Sequence, residues 1–254
     1  EFIKILNTPK PSIGLIILQK TGLMKIVFPE IHVMYNMDQS PEWHHKDIFA
    51  HTLQVVDNAS ELTNKMEIRF AALVHDIAKP NTRKIDPKKG YTFHGHDAIG
   101  ERMMNKVGKR MKLSNKLLNY LKKLTLLHLR PIALVKSEVS DSAIRRLIIA
   151  AGDELKDLMT LCRADITTKN AKMVKKYLNN FNIVEQKIET VLDKDSAEKF
   201  QSPIRGDEIM KIFGLSEGRE IGLIKKFVEE AILDGEIKNT YEDAKKYLAN
   251  YKKI

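Results

Sequence analysis

Apolar side chains recur along this chain at the three- and four-residue spacing of α-helices, and the two-residue alternation of β-strands hardly appears. The pattern is clearest between residues 48 and 62 and again between residues 117 and 127. Ser114 is a suitable N-cap for the second of these helices, and Thr240 resembles the first residue of a capping box for a last helix. Pro80 is expected to stop the helix before it. The sequence therefore predicts an all-α fold.

Length and composition predict a chain with a sizeable core and three regions. Of 254 residues 43% are hydrophobic, and no stretch approaches 18 uninterrupted apolar residues, which excludes a membrane span. The regions are a helical segment at 1–45, a histidine-bearing centre at 46–168 and a glycine-punctuated tail at 169–254. The single cysteine, Cys162, excludes an intrachain disulfide and suits a reducing compartment, so a cytoplasmic location is expected. The first residue is Glu1 and no signal-peptide pattern follows, so we expect a fragment of a longer protein.

The positive charge is concentrated in one window. The formal net charge is +10, and residues 102–136 alone contain ten basic residues and no Asp or Glu. A field of one sign favours a polyanion such as nucleic acid, and a solvated lysine-rich face is the alternative that stays open. The ten residues are Arg102, Lys106, Lys109, Arg110, Lys112, Lys116, Lys122, Lys123, Arg130 and Lys136.

Imidazole and carboxylate side chains recur on successive helices of the central region. His51 lies in one predicted helix, the pair His75-Asp76 in the next, and Asp165 in a later one. In a helical bundle these groups can converge on one divalent ion. The helix around Asp76 is largely apolar, so an uncompensated carboxylate there is very costly and a cation is an economical counter-charge. A single histidine on an apolar face is more often a core residue, but the set favours a metal site.

These residues resemble the H…HD…D signature of the HD-superfamily metal-dependent phosphohydrolases. The match is carried by His51, by the segment from Val74 to Lys79 and by Asp165, and the segment from Phe93 to Gly100 resembles an intervening histidine motif of that family. The resemblance implies an HD-domain helical bundle that holds a divalent ion. The implied metal ligands are His51, His75, Asp76 and Asp165. His96 and His128 would complete a second metal position or contact the scissile phosphate, and Lys79 would face the phosphate. With Asp76 these are the implied catalytic residues.

The flanking segments resemble CCA-adding tRNA nucleotidyltransferases and the related bacterial poly(A) polymerases. The match lies in residues 7–15 and 28–30, which resemble the segment that follows the nucleotidyltransferase head, and in residues 206–210 and 230–240, which resemble the tRNA-binding tail. The chain departs from the family at 216–219, where Ser-Glu-Gly-Arg replaces a Lys-Pro-Gly-Pro sequence. No glycine pair is followed by the paired aspartates that hold polymerase metals, so nucleotidyl transfer is expected to belong to an N-terminal head outside this chain.

The resemblance implies the C-terminal part of such an enzyme, with helical RNA-binding segments flanking the HD bundle. It implies tRNA binding and hydrolysis of phosphomonoesters or 2′,3′-cyclic phosphodiesters at nucleotides or RNA ends. Mg, Mn, Ni, Co, Fe and Zn all suit such a site. A non-catalytic tRNA-binding body with a vestigial metal site, or a free-standing HD nucleotide phosphohydrolase, stays open. The predicted RNA or phosphate contacts are Lys122, Lys123, Arg145 and Arg146, with surface ion pairing as the alternative for the two arginines.

Overall fold

A computed structural model of the chain describes residues 1–37, 47–88, 90–135, 140–194, 202–249 and 251. Within these residues the chain forms two compact units. The first unit comprises Glu1–Ser137 and Ala150–Val184, and the second comprises Glu138–Ile149 and Glu185–Ile254. The three-region division stays a prediction of the sequence.

The described residues are mostly helical, and the all-α prediction is confirmed. The helices in chain order are α1 (Phe2–Leu6), α2 (Pro11–Lys20), α3 (Leu23–Val27), α4 (Pro29–His32), α5 (Ile48–Leu62), α6 (Met66–Val74), α7 (Lys79–Thr82), α8 (His96–Met111), α9 (Asn115–Leu127), α10 (Leu129–Val135), α11 (Asp141–Ala151), α12 (Leu155–Ala164), α13 (Ala171–Lys194), α14 (Gly206–Phe213), α15 (Arg219–Asp234) and α16 (Tyr241–Leu248). A 3-10 turn at Gly152–Glu154 precedes α12. None of these helices is both long and apolar enough to span a membrane.

Side-chain caps set the starts of several helices. Ser114 accepts a hydrogen bond from the backbone of Leu117 at the start of α9, and Thr240 accepts one from Asp243 at the start of α16, so both predicted caps are confirmed. Asp47 caps α5 in the same way through the backbone N–H of Ala50. These bonds satisfy N–H groups that have no partner inside the helix.

The prediction that Pro80 stops a helix is wrong. The helix α6 ends at Val74, and Pro80 lies in the first turn of α7, where a missing N–H costs no hydrogen bond. The side chain of His75 explains why α6 ends before Pro80, because its Nδ1 donates a hydrogen bond to the carbonyl of Ala72 at 2.8 Å. In a continued helix that carbonyl accepts from the N–H of Asp76. The His-Asp pair therefore lies in a tight turn rather than inside a helix.

Close helix packing in the first unit brings the histidine-bearing segments together. The helix α5 packs against α6 and α12, and α8 packs against α9. Gly100 permits the approach of α8, since a Cβ atom there would lie 2.9 Å from Cγ2 of Thr125 and 3.3 Å from Cγ2 of Ile77. Phe70 and Leu121 are among the fully buried side chains of this core.

A small antiparallel hairpin, which the sequence did not predict, lies between α7 and α8. Its strands are β1 (Lys84–Asp86) and β2 (Gly90–Thr92), with Lys84 opposite Thr92 and Ile85 opposite Tyr91. The strands have three residues each, too few for an alternating pattern to stand out in the sequence.

The second unit has a separate apolar core on α14, α15 and α16. Phe227 stacks on Tyr247 with ring centroids 4.8 Å apart. The buried members are Ile204, Ile209, Ile224, Val228, Ile232, Ala244 and Leu248.

Candidate metal centre

Three segments of the first unit bring one group of ligand atoms together. Helix α5 supplies His51, the turn after α6 supplies His75, and Asp165 caps the end of α12. The Oδ1 atom of Asp165 lies 3.0 Å from Nε2 of His51 and 3.6 Å from Nε2 of His75. Asp165 was predicted on a helix and instead lies at its C-cap, where α12 ends. These three residues form a group of the kind that could hold a metal ion.

Asp76 joins this group to a second one. Its Oδ2 atom lies 3.1 Å from Nε2 of His75 and 3.4 Å from Nε2 of His51, and its Oδ1 atom faces the other way. Oδ1 lies 3.2 Å from Nε2 of His96 and 3.7 Å from Nε2 of His128. One buried carboxylate thus stands between two sets of imidazoles, and Asp76, His96 and His128 form the second group that could hold an ion.

The remaining ring nitrogen of each histidine is held by a second contact. Three of the Nδ1 atoms donate to backbone carbonyls, which can only accept, so Nδ1 carries a proton and Nε2 faces the centre. Such bonds fix the orientation of metal-binding imidazoles. The contacts are His75 to Ala72 O at 2.8 Å, His96 to Phe93 O at 2.7 Å, His128 to Thr125 O at 2.6 Å and His51 to Thr167 Oγ1 at 3.0 Å.

Three of the inward-facing atoms contact charged neighbours without forming a regular hydrogen bond. Among the described residues, no hydrogen bond of acceptable geometry reaches Nε2 of His75, Oδ2 of Asp76 or Oδ1 of Asp165, and all three atoms are buried. Buried polar atoms are nearly always satisfied, so a cluster held only by such charge contacts has room for a further partner. Imidazole nitrogens and carboxylate oxygens are the donors that divalent transition metals take. These residues therefore fit a divalent metal ion.

The electrostatics of the centre demand positive charge. Burial opposes protonation of His75, but the Asp76 and Asp165 carboxylates outweigh it and raise the pKa of His75 to about 10. Burial likewise disfavours the charged form of Asp76, yet the neighbouring His75 and Lys79 cations hold its pKa well below the usual range. Burial and the charge on His75 lower the pKa of His128 to about 4, which leaves its imidazole neutral at pH 7. Without a metal, protons on the imidazoles balance the carboxylates.

Lys79 lies beside the centre, where the sequence predicted it. Its Nζ atom is 2.7 Å from Oδ2 of Asp76 and 5.5 Å from the centroid of the Phe93 ring. Only 14% of the Lys79 side chain is exposed. A desolvated ammonium group at this place attracts a phosphate oxygen strongly.

The basic window is partly neutralised by carboxylates from elsewhere in the fold. Lys122 pairs with Glu101 at 2.9 Å, and Lys123 pairs with Glu154 at 2.6 Å. Neighbouring helices and turns thus supply acids that the window itself lacks, and the charges of these two lysines are balanced locally. Arg110, a third basic residue of the window, forms an ion pair with Glu30. Lys136 lies outside the described residues.

The two predicted arginine contacts belong to the second unit. Arg146 pairs with Glu230 at 2.7 Å and with Asp234 at 2.9 Å, which is the ion-pairing alternative left open by the sequence. Arg145 also has an interaction with another group. Neither arginine is part of the two ligand groups, and their contact with RNA stays a prediction.

Sequence reasoning missed several residues that support the ligands. Thr167 contacts Nδ1 of His51, and Asn58 donates to the carbonyl of Ala164 at 2.7 Å, next to Asp165. Cys162, predicted as a core residue, is buried and donates from Sγ to the carbonyl of His128. A ligand histidine needs a partner for its other nitrogen, but no sequence spacing identifies which residue supplies it.

Comparison with known proteins agrees with this geometry. Residues 48–169 match the family model of the HD domain, and residues 1–35 match the model described as probable RNA and SrmB-binding site of polymerase A. The CC-adding tRNA nucleotidyltransferase of Thermus thermophilus is 27% identical over 252 residues, which is 98% of this chain and 55% of the relative. The A-adding tRNA nucleotidyltransferase of Deinococcus radiodurans is 26% identical over 99% of this chain and 57% of the relative.

A third relative is the multifunctional CCA protein of Vibrio parahaemolyticus, which is 29% identical over 65% of this chain and 41% of its own length. The chain spans about half the length of the curated relatives that it matches over its full extent. It carries an HD domain and is related to tRNA nucleotidyltransferases over nearly its whole length.

Proposed function

We propose that the HD domain of this chain is a metal-dependent phosphohydrolase acting on phosphomonoesters or 2′,3′-cyclic phosphodiesters of nucleotides or RNA ends. The observation that carries the proposal is the Asp76 carboxylate, buried between two sets of imidazoles, with His75 and His51 on its Oδ2 side and His96 and His128 on its Oδ1 side. Packing of a core does not account for this arrangement, because burying a carboxylate costs free energy unless it is compensated.

His51, His75, Asp76 and Asp165 would hold the ion. When bound, a divalent metal lowers the pKa of water toward neutrality and polarises a phosphoryl oxygen. The chain's own residues perform the remaining tasks. Lys79 places a desolvated ammonium group where it can stabilise negative charge on phosphate, and His96 and His128 present their Nε2 atoms on the other side of Asp76.

Binding of tRNA is the second part of the proposal, and it rests on the relatives. Two of them add nucleotides to tRNA by their names, and the matched segments include the region described as RNA-binding. We propose that this chain forms the tRNA-gripping C-terminal body of such an enzyme, with nucleotidyl transfer supplied by a head outside it. Two alternatives compete with this proposal: a non-catalytic tRNA-binding body with a vestigial metal site, and a free-standing HD nucleotide phosphohydrolase.

The test is hydrolysis by the purified chain after removal of metal with a chelator. Each of Mg, Mn, Fe, Co, Ni and Zn is added back, and turnover of a phosphomonoester and of 2′,3′-cyclic AMP is measured. The proposal predicts turnover with at least one ion, abolished by Asp76→Asn and retained by Asp97→Asn. Asp97 is the matched control, because it neighbours His96 but belongs to neither ligand group. No turnover with any ion contradicts the proposal and leaves a binding body.

A further inference from the structure

The hairpin of β1 and β2 lies directly between two segments of the metal centre. Lys79 begins α7, which leads into Arg83 and β1, and β2 leads into Phe93, whose carbonyl holds Nδ1 of His96. Since a strand advances about 3.3 Å per residue, the first ladder pair lies within roughly 10 Å of Phe93. Lys79 Nζ, 2.7 Å from Asp76 Oδ2, also lies 5.5 Å from the Phe93 ring centroid, so the hairpin end lies beside the centre.

The hairpin carries two cation–aromatic pairs next to each other. The Arg83 guanidinium lies 3.7 Å from the centroid of the Tyr91 ring, and the Lys79 ammonium lies 5.5 Å from that of Phe93. The register places Lys84 opposite Thr92, so Arg83 and Phe93 follow as the next neighbours beyond the ladder. The two pairs thus lie side by side, and Lys79, which is 2.7 Å from Asp76, joins them to the centre. We call Lys79, Phe93, Arg83 and Tyr91 the cation–aromatic series.

Neither ring of this series is buried, and Lys84 and Lys88 of the same hairpin are exposed. Tyr91, Phe93 and Arg83 are half-buried, and Arg83 forms no ion pair with the carboxylates that the structure describes. Ile85, paired with Tyr91 across the ladder, is 78% exposed.

We propose that Arg83 and Tyr91 form a stacking platform for the nucleobase of the ester hydrolysed at the metal centre. Guanidinium and aromatic planes stack on any base, and the positive charge of Arg83 suits the nearby phosphate. The platform makes nucleotides and RNA ends, rather than phosphate esters in general, the preferred substrate class. This inference rests on the proposed function of the centre, which supplies the phosphate-binding end of the same ligand.

The experiment compares two esters of secondary alcohols, one with a base and one without. Adenosine 2′-monophosphate and glycerol 2-phosphate are given to the metal-loaded chain and to the variants Tyr91→Ala and Arg83→Met. Base stacking predicts a KM for the adenosine ester that rises roughly tenfold, with an unchanged KM for the glycerol ester. Tyr91→Phe keeps the ring and should restore the original value. Lys88→Ala, which removes an exposed charge at the hairpin turn, is the control.

Each result decides the inference separately from the proposed function. Equal losses on both esters show that the hairpin only supports the centre, and they overturn the platform while hydrolysis stands. If the unaltered chain hydrolyses neither ester, the proposed function fails, and adenosine 2′-monophosphate becomes a stable ligand for calorimetry. Weaker binding by Tyr91→Ala then supports the platform, and equal binding overturns it.

Discussion

Replacing Thr167 by valine should weaken metal binding without removing a ligand. His51 is the one ligand histidine within the described chain whose Nδ1 contacts a side chain, at 3.0 Å from Thr167 Oγ1, whereas the other three contact backbone carbonyls. Valine keeps the shape of threonine and has no hydroxyl group to pair with Nδ1, so the tautomer and the ring orientation of His51 lose their constraint. Loss of such a supporting contact typically costs 10- to 100-fold in metal affinity, about 1.4–2.7 kcal/mol.

The assay is calorimetric titration of the metal-depleted chain with Mn²⁺ or Ni²⁺. Thr167→Ser keeps the hydroxyl group and should bind metal nearly as tightly as the unaltered chain. Thr168→Val makes the same chemical change one residue away, where the hydroxyl accepts from the backbone N–H of Asn170, and should leave affinity unchanged. Equal affinities for Thr167→Val and Thr168→Val would refute the reasoning, because His51 would then need no side-chain partner.

Three further predictions follow from the packing and the charges. Gly100→Ala places a methyl group 2.9 Å from a threonine methyl and should destabilise the chain by about 1–2 kcal/mol in denaturant unfolding, whereas Gly222→Ala, with open space around it, should be neutral or stabilising. Lys122→Gln with Lys123→Gln should weaken tRNA binding and reduce the slope of log affinity against log salt by up to about two; an unchanged slope would place these lysines away from RNA. The pKa of His75 is raised to about 10 in the metal-free fold, so protonation of His75 stabilises the fold fully below pH 6.5, and this contribution is lost as pH rises towards 10. The melting temperature of the chelated chain should therefore fall across this range. A flat profile would contradict the balance between the His75 proton and the carboxylates.

The sequence predicted which side chains converge better than it predicted the backbone that presents them. Helical periodicity and the His-Asp pair were sufficient to select the residues that meet, because buried carboxylates need a counter-charge whatever the helix boundaries are. The turn at His75 was missed because a side-chain bond to the carbonyl of Ala72 ends α6, and no spacing rule identifies that competition. The supporting contact of Thr167 was missed for the same reason, since it joins residues 116 positions apart.

The charged window shows a different limit of sequence reasoning. Residues 102–136 contain no acid, yet Lys122 and Lys123 find carboxylates at Glu101 and Glu154, which lie just before the window and on another element. Charges counted along a chain give the net charge of a segment, but they do not show which basic side chains pair with acidic ones in the fold. The predicted RNA contacts are therefore best tested by salt dependence rather than by counting lysines.

The most direct test of the metal centre is anomalous diffraction from crystals of the chain grown with Mn²⁺. The account predicts a peak bounded by His51, His75 and Asp165, with Asp76 as a further ligand and metal–ligand distances near ~2.1 Å. The Asp76→Asn variant should lose that peak. An empty site in crystals of the unaltered chain at saturating Mn²⁺, with its imidazoles paired to the carboxylates as in the metal-free fold, would contradict the claim that this cluster binds a metal.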